Sequence, residues 1–380
     1  MNRRFVNLLV DRLRAPRPAF KLHRIDPASL FYPTGSPKPA DPAEEIRESA
    51  PFPSRGRLSS AAMSFDWPCK RYQTGWMDFM AFKNKIIAVD NEGRTVLYDS
   101  ASRAVFTTTA MRPALQSNNM FVTVGDSLYV MSSEAGLPSR RLVWFYALIY
   151  GEPPGIFGPE DWYWRSLNLP PFDYADADHR SSDPDDDGSG SDYYSTLDAD
   201  YSSDDDPADD TSGGDESSPH PCAISAFTVV GGSRIWVSTV AAGTYSYDTA
   251  SREWSKVGAW ALPFRGRAAY VPEHSLWFGF SDQDGRLCAA DLALTPPLQH
   301  ELVSHPPPDE AGPLTPTTHL LPLGSGKLCI ARLSHETEED ETFAVLTGVE
   351  VQRRAGIGNL QMIEHKSRRY GFGDADVRLL

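Results

Sequence analysis

Gly231-Gly232-Ser233-Arg234 leads into Ile235-Trp236-Val237, and the chain then runs through Gly243-Thr244-Tyr245-Ser246-Tyr247-Asp248-Thr249 to Glu253-Trp254. The paired glycines permit a close turn, the short apolar runs mark strands, and the aromatics have the size to pack between sheets. Four looser copies of the opening turn and strand surround this unit. Lys83-Asn84-Lys85 precedes Ile86-Ile87-Ala88-Val89, and Gly125-Asp126-Ser127 precedes Leu128-Tyr129-Val130-Met131. Pro272-Glu273-His274-Ser275 precedes Leu276-Trp277-Phe278, and Gly324-Ser325-Gly326-Lys327 precedes Leu328-Cys329-Ile330. The strand starts at 86, 128, 235, 276 and 328 are spaced by 42, 107, 41 and 52 residues, and removing a 45-residue acidic insert shortens the long gap to 62. A period of about 40 to 60 residues indicates propeller blades.

Working outward, Tyr98-Asp99-Ser100 and Tyr247-Asp248-Thr249 take matching places in two units. The expected fold is all-β: a kelch-like β-propeller of about six four-stranded blades with a disordered acidic insert. Five blades are read from the hairpins, and the sixth is expected to join strands from both termini, which hides open sheet edges. The alternation in Arg4-Phe5-Val6-Asn7-Leu8-Leu9-Val10 reads as the first strand. Helical periodicity is weak throughout. The predicted division is 1–172 for the first part of the propeller, 173–221 for the insert and 222–380 for the second part. Residues 33–62, with Pro33, Pro37, Pro39, Pro42, Pro51 and Pro53, read as a Pro-rich loop, and 305–316 as another.

The unit from Gly231 to Trp254 resembles a kelch repeat, with Gly231, Gly232, Tyr247, Asp248 and Trp254 as its defining positions. Several strings together also resemble a plant family of uncharacterised kelch-related propeller proteins, expanded in grasses and known only as a domain of unknown function. They are Arg3-Arg4-Phe5-Val6-Asn7-Leu8, Gly258-Ala259-Trp260-Ala261-Leu262-Pro263-Phe264-Arg265-Gly266, Tyr270-Val271-Pro272-Glu273 with Leu276-Trp277-Phe278-Gly279-Phe280, Leu287-Cys288-Ala289-Ala290-Asp291-Leu292, and Leu346-Thr347-Gly348-Val349-Glu350-Val351 with His365-Lys366-Ser367. The resemblance implies a propeller with no established activity and brings no catalytic residues with it. The long acidic insert is where this chain departs from the pattern.

The chain has 380 residues, 41% of them hydrophobic, which suffices for a large core. Lys and Arg number 36 against 51 Asp and Glu, and the net charge of −15 opposes broad attraction to nucleic acid or an anionic membrane. That acidity is local, because residues 173–217 hold 17 acidic residues and one basic one, Arg180. The remainder is nearly neutral. The insert is rich in Asp, Ser and Gly and buries too little apolar surface to offset ordering entropy. Ser182, Ser189, Ser195, Ser202, Ser203 and Ser212 each have Asp three positions later, which suits acid-directed kinases and makes them candidate phosphoacceptors.

Catalytic and metal chemistry finds no pattern, so the expectation is no catalytic residues, no metal and no cofactor. Cys69, Cys222, Cys288 and Cys329 are widely spaced and read as free thiols. His300, His305, His319 and His335 lack the close spacing of a metal pair, and Ser281-Asp282-Gln283-Asp284-Gly285 fits a polar hairpin turn better than a calcium loop. Trp162-Tyr163-Trp164, Trp254 and Trp260 are expected to fill space between blades. A first strand at about residue 3 leaves no room for an F-box helix pair before it. The expected function is a non-enzymatic protein-interaction scaffold with an unidentified protein partner. It is expected to be a monomer, cytoplasmic or nuclear, without direct nucleic-acid or membrane binding. The alternatives are a small-ligand-binding or enzymatic propeller using its channel mouth, and an adaptor binding basic proteins through the insert.

Overall fold

Each turn picked out in the sequence joins the first two strands of a sheet. The turns use the left-handed backbone that tight hairpins need, with φ of 55° at Lys83, 56° at Gly125, 62° and 73° at Gly231 and Gly232, 57° at Ser275, and 56° and 70° at Ser325 and Gly326. The structure is a computed structural model that describes residues 5–11, 19–33, 54–66, 77–90, 92–111, 119–133, 144–155, 158–172, 223–305, 318–336, 341–353 and 360–380.

The chain opens with β1 (Val6–Asp11) and β2 (Ala19–Ile25), a 3-10 turn at Pro27–Leu30, then β3 (Ser54–Arg55) and β4 (Met63–Asp66). Blade 2 is β5 (Met77–Phe82), β6 (Lys85–Asp90), β7 (Thr95–Asp99) and β8 (Ala104–Thr107). Blade 3 is β9 (Asn119–Val124), β10 (Ser127–Ser132), β11 (Phe145–Gly151) and β12 (Asp161–Ser166). Blade 4 is β13 (Ile224–Val230), β14 (Arg234–Thr239), β15 (Gly243–Asp248) and β16 (Glu253–Gly258). Blade 5 is β17 (Phe264–Val271), β18 (Leu276–Ser281), β19 (Leu287–Asp291) and β20 (Leu298–His305). Blade 6 is β21 (Thr318–Gly324), β22 (Lys327–Glu336), β23 (Glu341–Arg353) and β24 (Leu360–Gly373). Finally β25 (Asp376–Leu379) returns to pair with β1, so blade 1 runs in the order β25, β1, β2, β4. The first strand is thus Val6–Asp11, slightly later than the residue-3 start read from the sequence.

Alternation along the strands buries both faces of each sheet, and the apolar residues gather into six clusters, one between every pair of neighbouring blades. Leu9, Phe20 and Leu22 meet Phe79 and Ile86 between blades 1 and 2, while Val6, Leu8 and Val10 meet Cys329, Leu346 and Tyr370 between blades 1 and 6. Met80 and Ile87 meet Leu128 and Trp144, and Phe145 meets Tyr245 and Tyr247. Trp236 meets Phe264, and Phe278 meets Leu328 and Val349. Six blades and six interfaces make a closed ring, the expected all-β propeller.

The strands that lead each blade, β25, β5, β9, β13, β17 and β21, line the axis. β13 and β17 pair in parallel there at Ala226 with Gly266 and Phe227 with Arg267. Trailing strands form the rim, where one edge is covered by the molecule itself. The long β24 takes β20 in parallel along Leu360–Ile363 and β3 in parallel at Arg368 and Arg369. β3 lies within 33–62 and pairs with blade 6, so that stretch is not loop throughout, and its residues 34–53 lie outside the described residues.

Candidate functional site

Antiparallel strands reverse at every turn, so all six axial strands start on one face of the ring and end on the other. On the far face lie the hairpins at 83–84, 125–126, 231–233, 272–275 and 325–326. Every connection from a rim strand to the next blade leaves on the near face, including 67–76, 108–118, 167–223 and 306–317. The near face therefore carries the longest links between blades, and the acidic insert joins the ring there between Ser166 of β12 and Ile224 of β13.

The repeat residues explain the far face. Gly231 and Gly232 have open space around them and supply only conformation. Asp248 accepts the backbone N–H groups of Ala250 at 2.8 Å and Ser251 at 3.2 Å, and its carboxylate meets Arg234 at 3.5 Å. These backbone bonds hold the exposed carboxyl below its usual range. Asp99 repeats the arrangement with Ala101 at 2.8 Å, Ser102 at 3.2 Å and Lys85 at 3.1 Å. The hydroxyls of Thr249 and Ser100 both donate to the hairpin one strand away, at Ser233 O (2.7 Å) and Asn84 O (2.6 Å). The correspondence continues to Arg252 and Arg103, with φ of 62° and 56°, a wider match than the three residues singled out in the sequence. Tyr247, 1% exposed, packs edge-on against Phe145, and Trp254 stacks on both.

Three axial strands begin with polar residues, Asp376 of β25, Asn119 of β9 and Thr318 of β21, and with Asp78 of β5 they stand at the channel mouth on the near face. Arg378 of β25 donates from Nη1 to Met77 O at 2.8 Å and to Asp78 Oδ1 at 3.1 Å. Asn119 of β9 donates to the other oxygen of Asp78 at 2.8 Å. Burial pushes the Asp78 pKa up, with Arg378 and Asn119 pulling it back. Asp11 lies opposite Asp376 in the β1–β25 pair and is 4% exposed, with no hydrogen-bond partner for Oδ1 among the described residues. Burial lifts its pKa to about 6, against the pull of Arg378 and with a small push from Asp376. His319, at the start of β21, has solvent beside it but is flanked by protein, and this desolvation lowers its pKa. Arg265 and Arg267 of blade 5 are exposed on the opposite side of the ring from blade 2.

None of the four acidic and basic residues of this cluster was picked out from sequence. Their one visible signal is the charged end of an otherwise apolar strand, Leu8-Leu9-Val10-Asp11, which has no meaning until β25 is placed beside it. The six candidate phosphoacceptor serines, Cys69 and Cys222 lie outside the described residues. Cys288 and Cys329 are buried free thiols, and burial pushes Cys288 up to about 12, far from thiolate chemistry. Ser281 and Asp284 cap backbone N–H groups of Gln283 and Arg286 in a hairpin turn. Trp164 is buried between blades 2 and 3, where it donates to Thr95 Oγ1 at 2.9 Å, and Tyr163 is buried on the opposite face of β12. Among the described residues, no three His, Cys, Asp or Glu side chains are grouped to hold a metal ion, and no helix is long and apolar enough to cross a membrane. A cavity of about 10 Å³ between blades 3 and 4, lined by Met120, Tyr129, Met131, Phe145 and Val237, has room for little more than one water.

Three solved structures are similar at low identity. The β-propeller domain of Myceliophteria thermophila Cps50 (Swd1) matches at 10% identity and a TM-score of 0.29, covering 71% of this chain and 63% of that one, less than two thirds of its length. Citrobacter koseri AztD matches at 9% identity and 0.34, over 97% and 98% of the two chains. The WD40 domain of SCAP from fission yeast matches at 7% and 0.32, over 99% and 76%. No curated protein sequence matches. The family described as Protein of unknown function (DUF1668) matches residues 3–370, every strand from β1 to most of β24 but not β25, and the chain belongs to that family.

Proposed function

We propose that this protein is a non-enzymatic protein-interaction scaffold of kelch-related type, whose docking face is the near face of the propeller. The observation that carries this reading is that every link between blades, among them the longest connection of the chain at 167–223, leaves from one face around the channel mouth, while the first hairpin of blades 2 to 6 and the 26–62 connection within blade 1 lie on the other. Binding surfaces on rigid scaffolds are built from such variable connections. The geometry shared by the Asp99 and Asp248 turns supports the kelch-type relationship, and the family resemblance supports a plant source. We place the scaffold in the cytoplasm or nucleus, as a monomer with one protein partner and no cofactor.

Affinity capture tests this with the full chain, a chain lacking residues 173–217, and a chain carrying Asp376→Lys at the channel mouth. A stoichiometric partner kept after the deletion and lost with Asp376→Lys locates docking on the mouth. Loss on the deletion alone moves binding to the insert and favours an adaptor for basic proteins. Failure of folded protein to retain any stoichiometric partner removes the scaffold reading.

A second reading is favoured by one observation: two carboxyl groups with raised pKa, Asp11 and Asp78, flank Arg378 at the mouth of the channel. Perturbed groups at a cleft are a mark of ligand-binding and catalytic sites. A small-ligand propeller using the channel mouth is the alternative the capture experiment separates.

A further inference from the structure

We propose that the acidic side of the channel mouth binds an ammonium or guanidinium group, with Asp78 and Asp376 as the contacting carboxylates and Asp11 as a buried carboxylate behind them. This rests on the near face being the docking face and names the chemistry of what docks there.

The argument begins with strand register. In the β1–β25 pair Asp11 stands opposite Asp376 and Leu9 opposite Arg378, so alternation puts Asp11, Asp376 and Arg378 on one side of the sheet. That side faces blade 2, because Leu9 packs with Met77 and Phe79, and Arg378 reaches Met77 O and Asp78. Three carboxylates thus lie on or against the blade 2 side of this sheet, and one of them, Asp78, is bonded to the guanidinium of Arg378. Arg378 already commits Nη1 to two acceptors, and Asp78 already takes Asn119 on its second oxygen. Full ionisation leaves the cluster short of positive charge.

Asp11 supplies the independent sign that a donor is missing. It is 4% exposed, and its Oδ1 accepts no hydrogen bond from the described residues. Buried polar atoms are nearly always paired, and a lone one marks strain or an unfilled site. Asp376 is exposed and Asp78 is a quarter exposed at its side chain, so an incoming group reaches these two from the channel while Asp11 adds field from below. A metal ion is a poorer fit, since no group of three ligating side chains forms among the described residues. An organic cation needs no fixed coordination shell and brings several N–H donors at once. The neighbouring groups agree. His319, on the adjacent axial strand, is held towards its neutral form, and Arg265 and Arg267 stand across the ring on blade 5.

Calorimetric titration of the full chain tests the site with three probes: Nα-acetyl-arginine methylamide, its lysine counterpart, and the citrulline counterpart, which keeps the shape without the charge. A pentapeptide with one central arginine is the fourth arm. The expected result is salt-sensitive binding of the cationic probes, none of citrulline, and about tenfold or greater weakening in Asp376→Asn and Asp78→Asn. Asp376 is exposed, so its variant is expected to fold as the parent does, and circular dichroism checks both. The acidic insert is unchanged in these variants, so it cannot produce the difference. Binding of the small probes alone identifies a free amine or guanidine as the source, and binding of the peptide alone identifies a partner's side chain. Equal binding of citrulline, unchanged affinity in both variants, or no binding by any probe overturns the proposal. Because these probes are defined molecules, such a failure leaves the partner capture standing, and a failed capture with intact probe binding leaves this site standing.

Discussion

Blade 4 and blade 1 bury their strands by the same alternation but treat their polar atoms differently. Blade 4 is one continuous run of chain from Ile224 to Gly258. Four of its buried hydroxyls are bonded: Thr228 to Ala268 O at 2.8 Å, Thr244 to Trp260 O at 2.6 Å, and Ser238 and Thr239 to the N–H groups of Leu262 and Ala242. Blade 1 is assembled from both ends of the chain, and its inner strand has four residues. Among the described residues, buried oxygens of Asn7 and Asp11 lack partners there. Blade 4 has one such atom among the described residues, Trp236 Nε1, so the two blades differ in which groups are left: an indole N–H in blade 4, carboxylate and amide oxygens at the closing seam.

The connection from β2 to β4 reinforces this seam. Asp26 caps the 3-10 turn at Ala28, and Phe31 and Tyr32 then lie against His365 of β24, with ring centroids 4.9 and 5.9 Å apart. Lys327 and Lys366 sit over the same two rings. Further on, Gly56 donates to Arg369 O at 2.7 Å beside β3. Blade 1 is therefore held to blade 6 both at the axis and at the rim.

The comparison breaks most sharply at Tyr247. Tyr247→Ala removes a fully buried ring from between blades 3 and 4 and is expected to cost about 3–5 kcal/mol, read as a lowered denaturant midpoint. A loss no larger than that of the half-exposed Tyr270→Ala would show that blade 4 does not depend on its aromatic wedge. Gly348→Ala tests the seam, because a Cβ there would stand 2.5 Å from the Leu30 carbonyl oxygen. It is expected to cost about 2 kcal/mol and to speed hydrogen exchange at residues 26–33 while leaving blade 4 protected. Unchanged exchange at 26–33 would mean that the rim contact adds little to closure.

Asp11→Asn is the next effect and has the opposite sign. The folded-state pKa of Asp11 is raised from 3.8 to about 6, so the folded protein holds this proton more tightly than the unfolded chain. Its penalty grows as pH rises through that window and stays constant above it. The variant is expected to be more stable than the parent at pH 7 by about 1–2 kcal/mol, allowing for screening, and to match it below pH 4. Thermal melts at the two pH values check this, and equal stability at pH 7 would remove the cost assigned to the orphaned carboxylate.

The smallest change is expected at the far-face turns. Asp99 and Asp248 have lowered pKa values, so their contribution is present above the unfolded value and is lost as pH falls through the folded one. Asp99→Ala and Asp248→Ala should each lower the melting temperature slightly at pH 7, by similar amounts, and the deficit should shrink in acid. Unequal effects would separate two turns that the geometry makes equivalent.

Much of the ring was legible because local rules write it. The hairpins before Ile86, Leu128, Ile235, Leu276 and Leu328 are each the first turn of a blade, and the missing sixth hairpin follows from drawing blade 1 out of both termini. Turn chemistry and strand alternation act over a few residues, so they leave marks in the chain. β3 was not legible. Ser54–Arg55 has no apolar pattern and becomes a strand only because the long edge of β24 offers it partners. The channel mouth was hidden for the same reason, since Asp11, Asp78, Asn119 and Arg378 come from three blades.

What the amino-acid order determined by itself is the blade: its period, its tight turns and its buried aromatics. What only the tertiary structure decided is which charged residues meet. Closing the ring carries Arg378 from the end of the chain to Asp78 and sets Asp376 across from Asp11. Charge interactions depend on distance in space and on burial, and neither quantity exists until the six blades are packed around their axis.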